Sequence, residues 1–252
     1  MTIFQSMILG IVQGVTEFLP VSSSGHLVLF GSWLGISETG ILFEVLLHAA
    51  TLGAVMVFFF PALRSLTIAK IGLLLLGTIP AAAVGLLLKS QIEVLFDSIT
   101  LVAFALLITA AINLGIGYYA KRAQDKTVDR SSAVFIGLAQ ALAITPGISR
   151  SGSTILAGLS SGLSRTAAFE FSFLLSIPAI GGALLLLLRD VARAEAVLPP
   201  VAPMFVGFIA AFLTGLLSLG LLKKMLLGNH FILFSWYTAS VAIGALILEF
   251  GL

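Results

Sequence analysis

"GIVQGVTEFLPVSSSGH" (residues 10–26) and "GLAQALAITPGISRSGST" (residues 137–154) are two versions of one pattern. Both open G-x-x-Q, as Gly10/Gln13 and Gly137/Gln140. Both reach a proline six or seven residues later (Pro20, Pro146) and then turn Ser- and Gly-rich. The agreement runs on through Gly35-Ile36-Ser37 against Gly162-Leu163-Ser164, and Phe43-Glu44 against Phe169-Glu170. Positions 10 and 137 differ by 127, and 43 and 169 by 126, so the offset holds over the whole stretch. Polar residues agreeing at a spacing of 126 or 127 imply an internal duplication, with halves at about 1–120 and 131–252. The hydrophilic KRAQDKTVDR (residues 121–130) lies between them as a junction.

The surroundings of these polar stretches decide the solvent. The 252 residues are 59% hydrophobic and 10% charged, against about a quarter charged in a soluble domain. Mean hydropathy is +1.17. Apolar runs long enough to span a bilayer recur at roughly 41–60, 68–88, 101–119, 167–188, 203–222 and 231–250. The chain therefore reads as an all-α polytopic membrane protein, one integral domain over 1–252, with no feature that would recruit nucleic acid. No Lys or Arg precedes the first apolar run, so no cleavable signal is expected. The lack of Cys excludes disulfides, thiolate catalysis and Cys-ligated metals.

Each half then holds three full spans and one broken segment (about 3–35 and 132–165) with Pro and Gly at its centre. Such segments read as re-entrant hairpins. Three crossings being odd, the second half is inverted relative to the first, and inverted repeats with broken helices place their site where the breaks meet. Arg64, Lys70, Lys121, Arg122, Lys126, Arg130, Arg165, Lys223 and Lys224 fall on one face, and Lys89, Arg189 and Arg193 on the other. The positive-inside rule puts the richer face in the cytoplasm and both termini outside, with 36–40 and 89–98. Arg150 is the exception, inside the second break.

Gln13 and Glu17 are four apart on one helix face, just before Pro20 ends the helix. Ser22, Ser23 and Ser24 suit the N-cap of the next helix, with His26 in its first turn. Ser149, Arg150 and Ser151 precede another helix that opens with Thr154. Two helix N-termini would converge here among hydroxyls and an arginine, which makes an anion site. Glu17 and His26 add an ionisable pair suited to a base, a nucleophile or a metal ligand, converging on one phosphate. Blander readings stand beside these. Ser and Thr in membrane helices often satisfy backbone carbonyls, Glu17 and Arg150 could form a structural ion pair, and His26 could cap its helix. Intramembrane charge is costly, however, so function is the default presumption. Glu44 and Glu170 sit near the starts of spans, where capping or solvation explains them, and His48 is a further candidate for the cavity wall. Lys89, Glu93 and Asp97 read as solvated loop.

With those residues in view, the sequence resembles the undecaprenyl-diphosphate phosphatase family, the bacitracin-resistance membrane proteins. QGVTEFLPVSSSGH and PGISRSGST carry the resemblance, and FEVLLHAATLGAV and GTIPAAAVGLLL extend it over nearly the whole chain. Gln13 stands where some members have Glu, and a neutral amide cannot complete a two-carboxylate metal site. The resemblance implies hydrolysis of a C55 isoprenyl diphosphate to the monophosphate carrier used in cell-wall synthesis, in a bacterial inner membrane, at a site opening outward. It implies catalytic roles for Glu17, Ser23, His26 and Arg150. Gln13, Ser22, Ser24, Ser149, Ser151 and Thr154 would bind substrate. A divalent cation, Mg²⁺ or Ca²⁺, is expected, held by Glu17, and a homodimer is the assembly to look for. The rival classes are a carrier-lipid flippase, since inverted repeats are a transporter architecture, and a non-catalytic lipid-binding protein.

Overall fold

The structure, a computed structural model, describes residues 1–35, 41–95, 98–193, 200–228 and 230–251. Segment 36–40 and Asp97, which the sequence places on the outer face, fall outside the described residues. Among those described, all regular elements are helical: α1 (Ile3–Phe18), α2 (Ser23–Trp33), α3 (Ile41–Phe58), α4 (Phe60–Arg64), α5 (Ile68–Leu87), α6 (Lys89–Leu95), α7 (Ile99–Ala120), α8 (Arg130–Leu142), α9 (Arg150–Ser160), α10 (Arg165–Arg193), α11 (Val201–Gly228) and α12 (Ile232–Phe250).

Five of the six expected spans, α5, α7, α10, α11 and α12, are long and apolar enough to cross a bilayer. The sixth is a shorter apolar helix, α3, because the chain turns at Phe59 into the one-turn α4. The protein is a multi-pass membrane protein. Both broken segments appear where the sequence puts them: α1 and α2 flank one break, α8 and α9 the other.

Packing partners follow the aligned stretches. α1 lies along α11 while α8 lies along α5; α3 pairs with α10 and α7 with α12. Small residues make the first two contacts close. A Cβ on Gly10 would strike the Gly207 carbonyl of α11, and one on Gly14 would strike the Ala211 carbonyl and the Thr214 hydroxyl. Gly137, the counterpart of Gly10, meets the Gly77 carbonyl of α5 in the same way. Lipid gives helices no hydrophobic reason to associate, so this backbone-to-backbone fit supplies van der Waals contact that larger residues would prevent. Between α1, α3 and α10, Phe18, Phe59, Phe169 and Phe173 form an aromatic knot, with Phe18 edge-on to Phe173 at 5.7 Å.

Several basic residues gather at one end. Arg165 opens α10 by donating from Nε to the Ala120 carbonyl (2.8 Å) and from Nη1 to that of Leu227 (2.6 Å). This ties together the ends of α7 and α11, and the Ser164 amide reaches the Lys126 carbonyl at 3.4 Å. Lys70 joins them through an ion pair with Glu170 at 3.7 Å. That accounts for Glu170 structurally, with both side chains well exposed. Asp129 caps α8: the Ser132 amide (2.8 Å) and hydroxyl (2.7 Å) donate to its carboxylate, and Lys126 lies 3.1 Å away. These bonds, the Ser132 amide first, hold its carboxyl well below the usual carboxylate range.

Candidate active site

Both breaks begin with chain that cannot continue a helix. α1 stops at Phe18, Leu19 is extended (φ −64°, ψ 145°), and Pro20 has no amide to donate. The next helix starts at once, with Ser22 as N-cap accepting from the Gly25 amide at 3.4 Å. In the second break Gly147 takes a left-handed φ of 91°. Ser149 then caps α9 by accepting from the Gly152 amide at 3.1 Å, so Arg150 and Ser151 belong to α9 rather than preceding it.

The breaks interlock. A Cβ on Gly25 would lie 3.3 Å from the Gly147 Cα, Gly152 faces the Pro20 ring, and Ser151 Oγ donates to the Leu19 carbonyl at 3.3 Å. Helix α7 holds both from one face. Asn113 Nδ2 donates to the Pro20 carbonyl at 2.7 Å. One turn earlier, Thr109 Oγ1 donates to the Gly147 carbonyl (2.7 Å) and accepts from the Ser149 amide (3.0 Å). Breaking a helix leaves unpaired backbone groups that lipid cannot satisfy, and these two side chains satisfy them. The sequence reading passed over Thr109 and Asn113. Their signal was available: two polar residues one turn apart in the middle of an apolar run.

Where the breaks meet, four residues of the expected set come together. Arg150 Nη2 lies 2.6 Å from Glu17 Oε1, with side chains 16% and 8% exposed. Ser23 Oγ donates to Glu17 Oε2 at 2.6 Å, and Gln13 Nε2 donates to the same oxygen at 3.1 Å. Buried Arg150 Nη1 and Gln13 Oε1 have no partner among the described residues. His48 Nδ1 faces the Glu44 carbonyl at 2.9 Å.

The remaining residues do other things. Ser22 and Ser149 cap their helices, with Ser24 Oγ and Ser151 Oγ respectively 3.2 Å from them. Thr154 is fully buried. Its hydroxyl bonds to the carbonyls of Arg150 (2.8 Å) and Ser151 (3.2 Å) and to Ser172 of α10, fastening α9 to α10. His26 is not hydrogen-bonded to Glu17, although the sequence expects the two to converge. Its Nδ1 faces the Ser22 carbonyl at 2.8 Å and its Nε2 the Tyr237 hydroxyl at 2.9 Å.

Glu17 is the carboxylate that would hold a divalent cation here. Both Glu17 oxygens are engaged, one by a guanidinium, and Gln13 offers only a neutral oxygen. Among the described residues no three His, Cys, Asp or Glu side chains gather; Mg²⁺ commonly takes one or two carboxylates, with waters and substrate phosphate oxygens completing its shell.

Residues 6–244 match the family described as bacitracin resistance protein BacA. The chain belongs to that family. The relatives named here align over nearly its whole length. A protein of Korarchaeum cryptofilum named undecaprenyl-diphosphatase is 42% identical, the alignment covering 98% of this chain and 100% of that one. Proteins of the same name from Methanosphaera stadtmanae (98% of each chain) and Carboxydothermus hydrogenoformans (99% and 98%) are each 39% identical. Both breaks, with the Glu17–Arg150 pair between them, lie inside the matched residues.

Proposed function

We propose that this BacA-family protein is a phosphatase that hydrolyses undecaprenyl diphosphate to undecaprenyl phosphate and inorganic phosphate, returning the lipid carrier to cell-wall synthesis. The observation that carries the reading is the half-used guanidinium of Arg150. One of its arms holds Glu17, and the other is buried with no hydrogen-bond partner among the described residues; Arg150 itself opens α9. An anion with several oxygens completes that arrangement. The relatives' shared name supplies the substrate.

Ser23 Oγ, already donating to Glu17 at 2.6 Å, attacks the terminal phosphorus as Glu17 takes its proton. The bond from that phosphorus to the bridging oxygen breaks, and undecaprenyl phosphate leaves with the bond's electrons. Arg150 and the helix N-termini stabilise charge on the equatorial oxygens during transfer. Water then attacks the phosphoserine, the proton returns to Ser23 Oγ, and inorganic phosphate departs. No step is routed through a metal; a divalent cation would enter on the diphosphate itself.

The swapped packing partners, α1 with α11 and α8 with α5, support an inverted duplication with both breaks re-entrant. The basic end then faces the cytoplasm of a bacterial inner membrane, and the site opens outward with both termini. The test is phosphate release from undecaprenyl diphosphate by the protein purified in detergent. Release that disappears in Arg150→Ala is expected. Wild-type release no faster than that variant's would end the reading.

A further inference from the structure

We infer that Tyr237 is the positioning residue for His26, setting which imidazole nitrogen is basic and where it points. The inference rests on the phosphatase reading for its consequence, but its geometry stands apart from it. His26 is 1% exposed, so solvent does not orient it; two hydrogen bonds do. The Ser22 carbonyl can only accept, so at 2.8 Å from Nδ1 it fixes the proton on that nitrogen. Nε2 is then the basic nitrogen, and the Tyr237 hydroxyl 2.9 Å away donates to it. The rings are also stacked, 10° from parallel with centroids 5.6 Å apart, so Tyr237 restrains both the tilt and the rotation of the imidazole.

The backbone shows that this arrangement is specific to His26. Ser22 has φ 69°, the sole positive φ at a non-glycine among the described residues. Capping does not require it: Ser149, the counterpart 127 positions on, caps its helix with φ −73° and a shorter bond, 3.1 against 3.4 Å. The counterpart of His26, again 127 on, is Ser153, which has no ring to orient. The strained conformation therefore coincides with the one break whose N-cap carbonyl must meet an imidazole, and strain of this kind gathers at functional sites. Tyr237 comes from α12, so the ring that the first break presents is set by the second half of the chain. His26 sits one turn beyond Ser23 on α2. A water or phosphate oxygen that displaces the tyrosine hydroxyl there meets a base already in the right tautomer.

Tyr237→Phe keeps the ring and removes only the hydroxyl. Phosphate release by the full chain in detergent is measured against substrate concentration, in the wild-type and His26→Ala backgrounds. The expected result is a roughly tenfold fall in kcat with KM within about twofold, on the scale of one lost hydrogen bond, and no further loss in His26→Ala. Unchanged kcat, or the same loss in both backgrounds, would overturn the inference and leave the tyrosine a packing residue. Nitrogen-15 NMR of histidine-labelled protein reads the contact without turnover. The His26 signals should show a neutral ring protonated at Nδ1, and Nε2 should shift in Tyr237→Phe; no shift overturns the inference even if activity changes. A wild type that releases no phosphate but shows this shift refutes the phosphatase reading alone.

Discussion

Replacing Glu17 by Gln removes one charge from a pair whose partner has nowhere to go. Arg150 is 16% exposed, Glu17 8%, and 2.6 Å separates the bonded atoms. With charge centres about 4 Å apart and an effective dielectric near 20, their attraction is about 4 kcal/mol. Breaking a buried pair from one side costs about 3–5 kcal/mol, since the remaining charge is left unneutralised. At roughly 2–4 °C per kcal/mol for a chain of this size, Glu17→Gln should lower the thermal midpoint in detergent by on the order of 10 °C. Phosphate release should fall at least about a hundredfold, the scale of a lost general base, because Ser23 loses its proton acceptor. Removing both charges separates the two effects. Glu17→Gln/Arg150→Gln should regain much of the midpoint and none of the activity. The assay is a double-mutant cycle on the midpoint, with phosphate release measured on the same samples. Strictly additive losses of midpoint would refute the ion pair, and near-normal turnover in Glu17→Gln would refute the carboxylate as base.

Arg150→Lys should lose nearly all activity, since a compact ammonium lacks the planar fork that spans Glu17 and a phosphate oxygen in fixed geometry; substantial retained turnover would reduce Arg150 to a point charge. Asn113→Leu strands the Pro20 carbonyl in a dry setting and should cost about 1–3 kcal/mol of stability, read by detergent unfolding, with activity falling as the first break loosens. A single cysteine at Asp125 should resist a membrane-impermeant thiol reagent in intact cells and react after lysis; labelling from outside would invert the topology. Asp129 stabilises the start of α8 fully above about pH 4, where the unfolded carboxylate is already charged, and less as pH falls toward its depressed folded value. Amide exchange in the first turn of α8 should therefore speed up below pH 4 in the wild type, and the same acceleration in Asp129→Asn would exclude this cause.

The breaks were legible because membrane helices tolerate Pro, Gly and clustered Ser only for a reason, and two such clusters at one spacing point to each other. Gln13 and Glu17 follow from helical periodicity, and Ser23 and Arg150 from the capping that the Ser-rich turns predict. What periodicity cannot carry is pairing between distant helices. Tyr237 stands 211 positions from His26 and Asn113 93 from Pro20, and each looks ordinary within its own apolar run. Local pattern likewise places Thr154 in the opening turn of α9, but not its hydroxyl against Ser172 on another helix. The shortness of α3 was hidden too, since the apolar run continues through Phe59 into a helix that has already turned.

The glycine contacts of α1 bear on the membrane itself. At about 1.5 Å per residue the 16 residues of α1 reach roughly 24 Å, short of a hydrocarbon core of about 30 Å. An isolated helix of that length would drift in depth or pinch the bilayer as lipid tails lengthen. Gly10 and Gly14 instead fit α1 against the backbone of α11, a helix of 28 residues. The depth of Glu17 is thus inherited from a long neighbour, and hydrophobic mismatch falls on the five long helices that can tilt to absorb it. The chemistry should consequently proceed at similar rates in thin and thick bilayers, a tolerance built from two missing side chains.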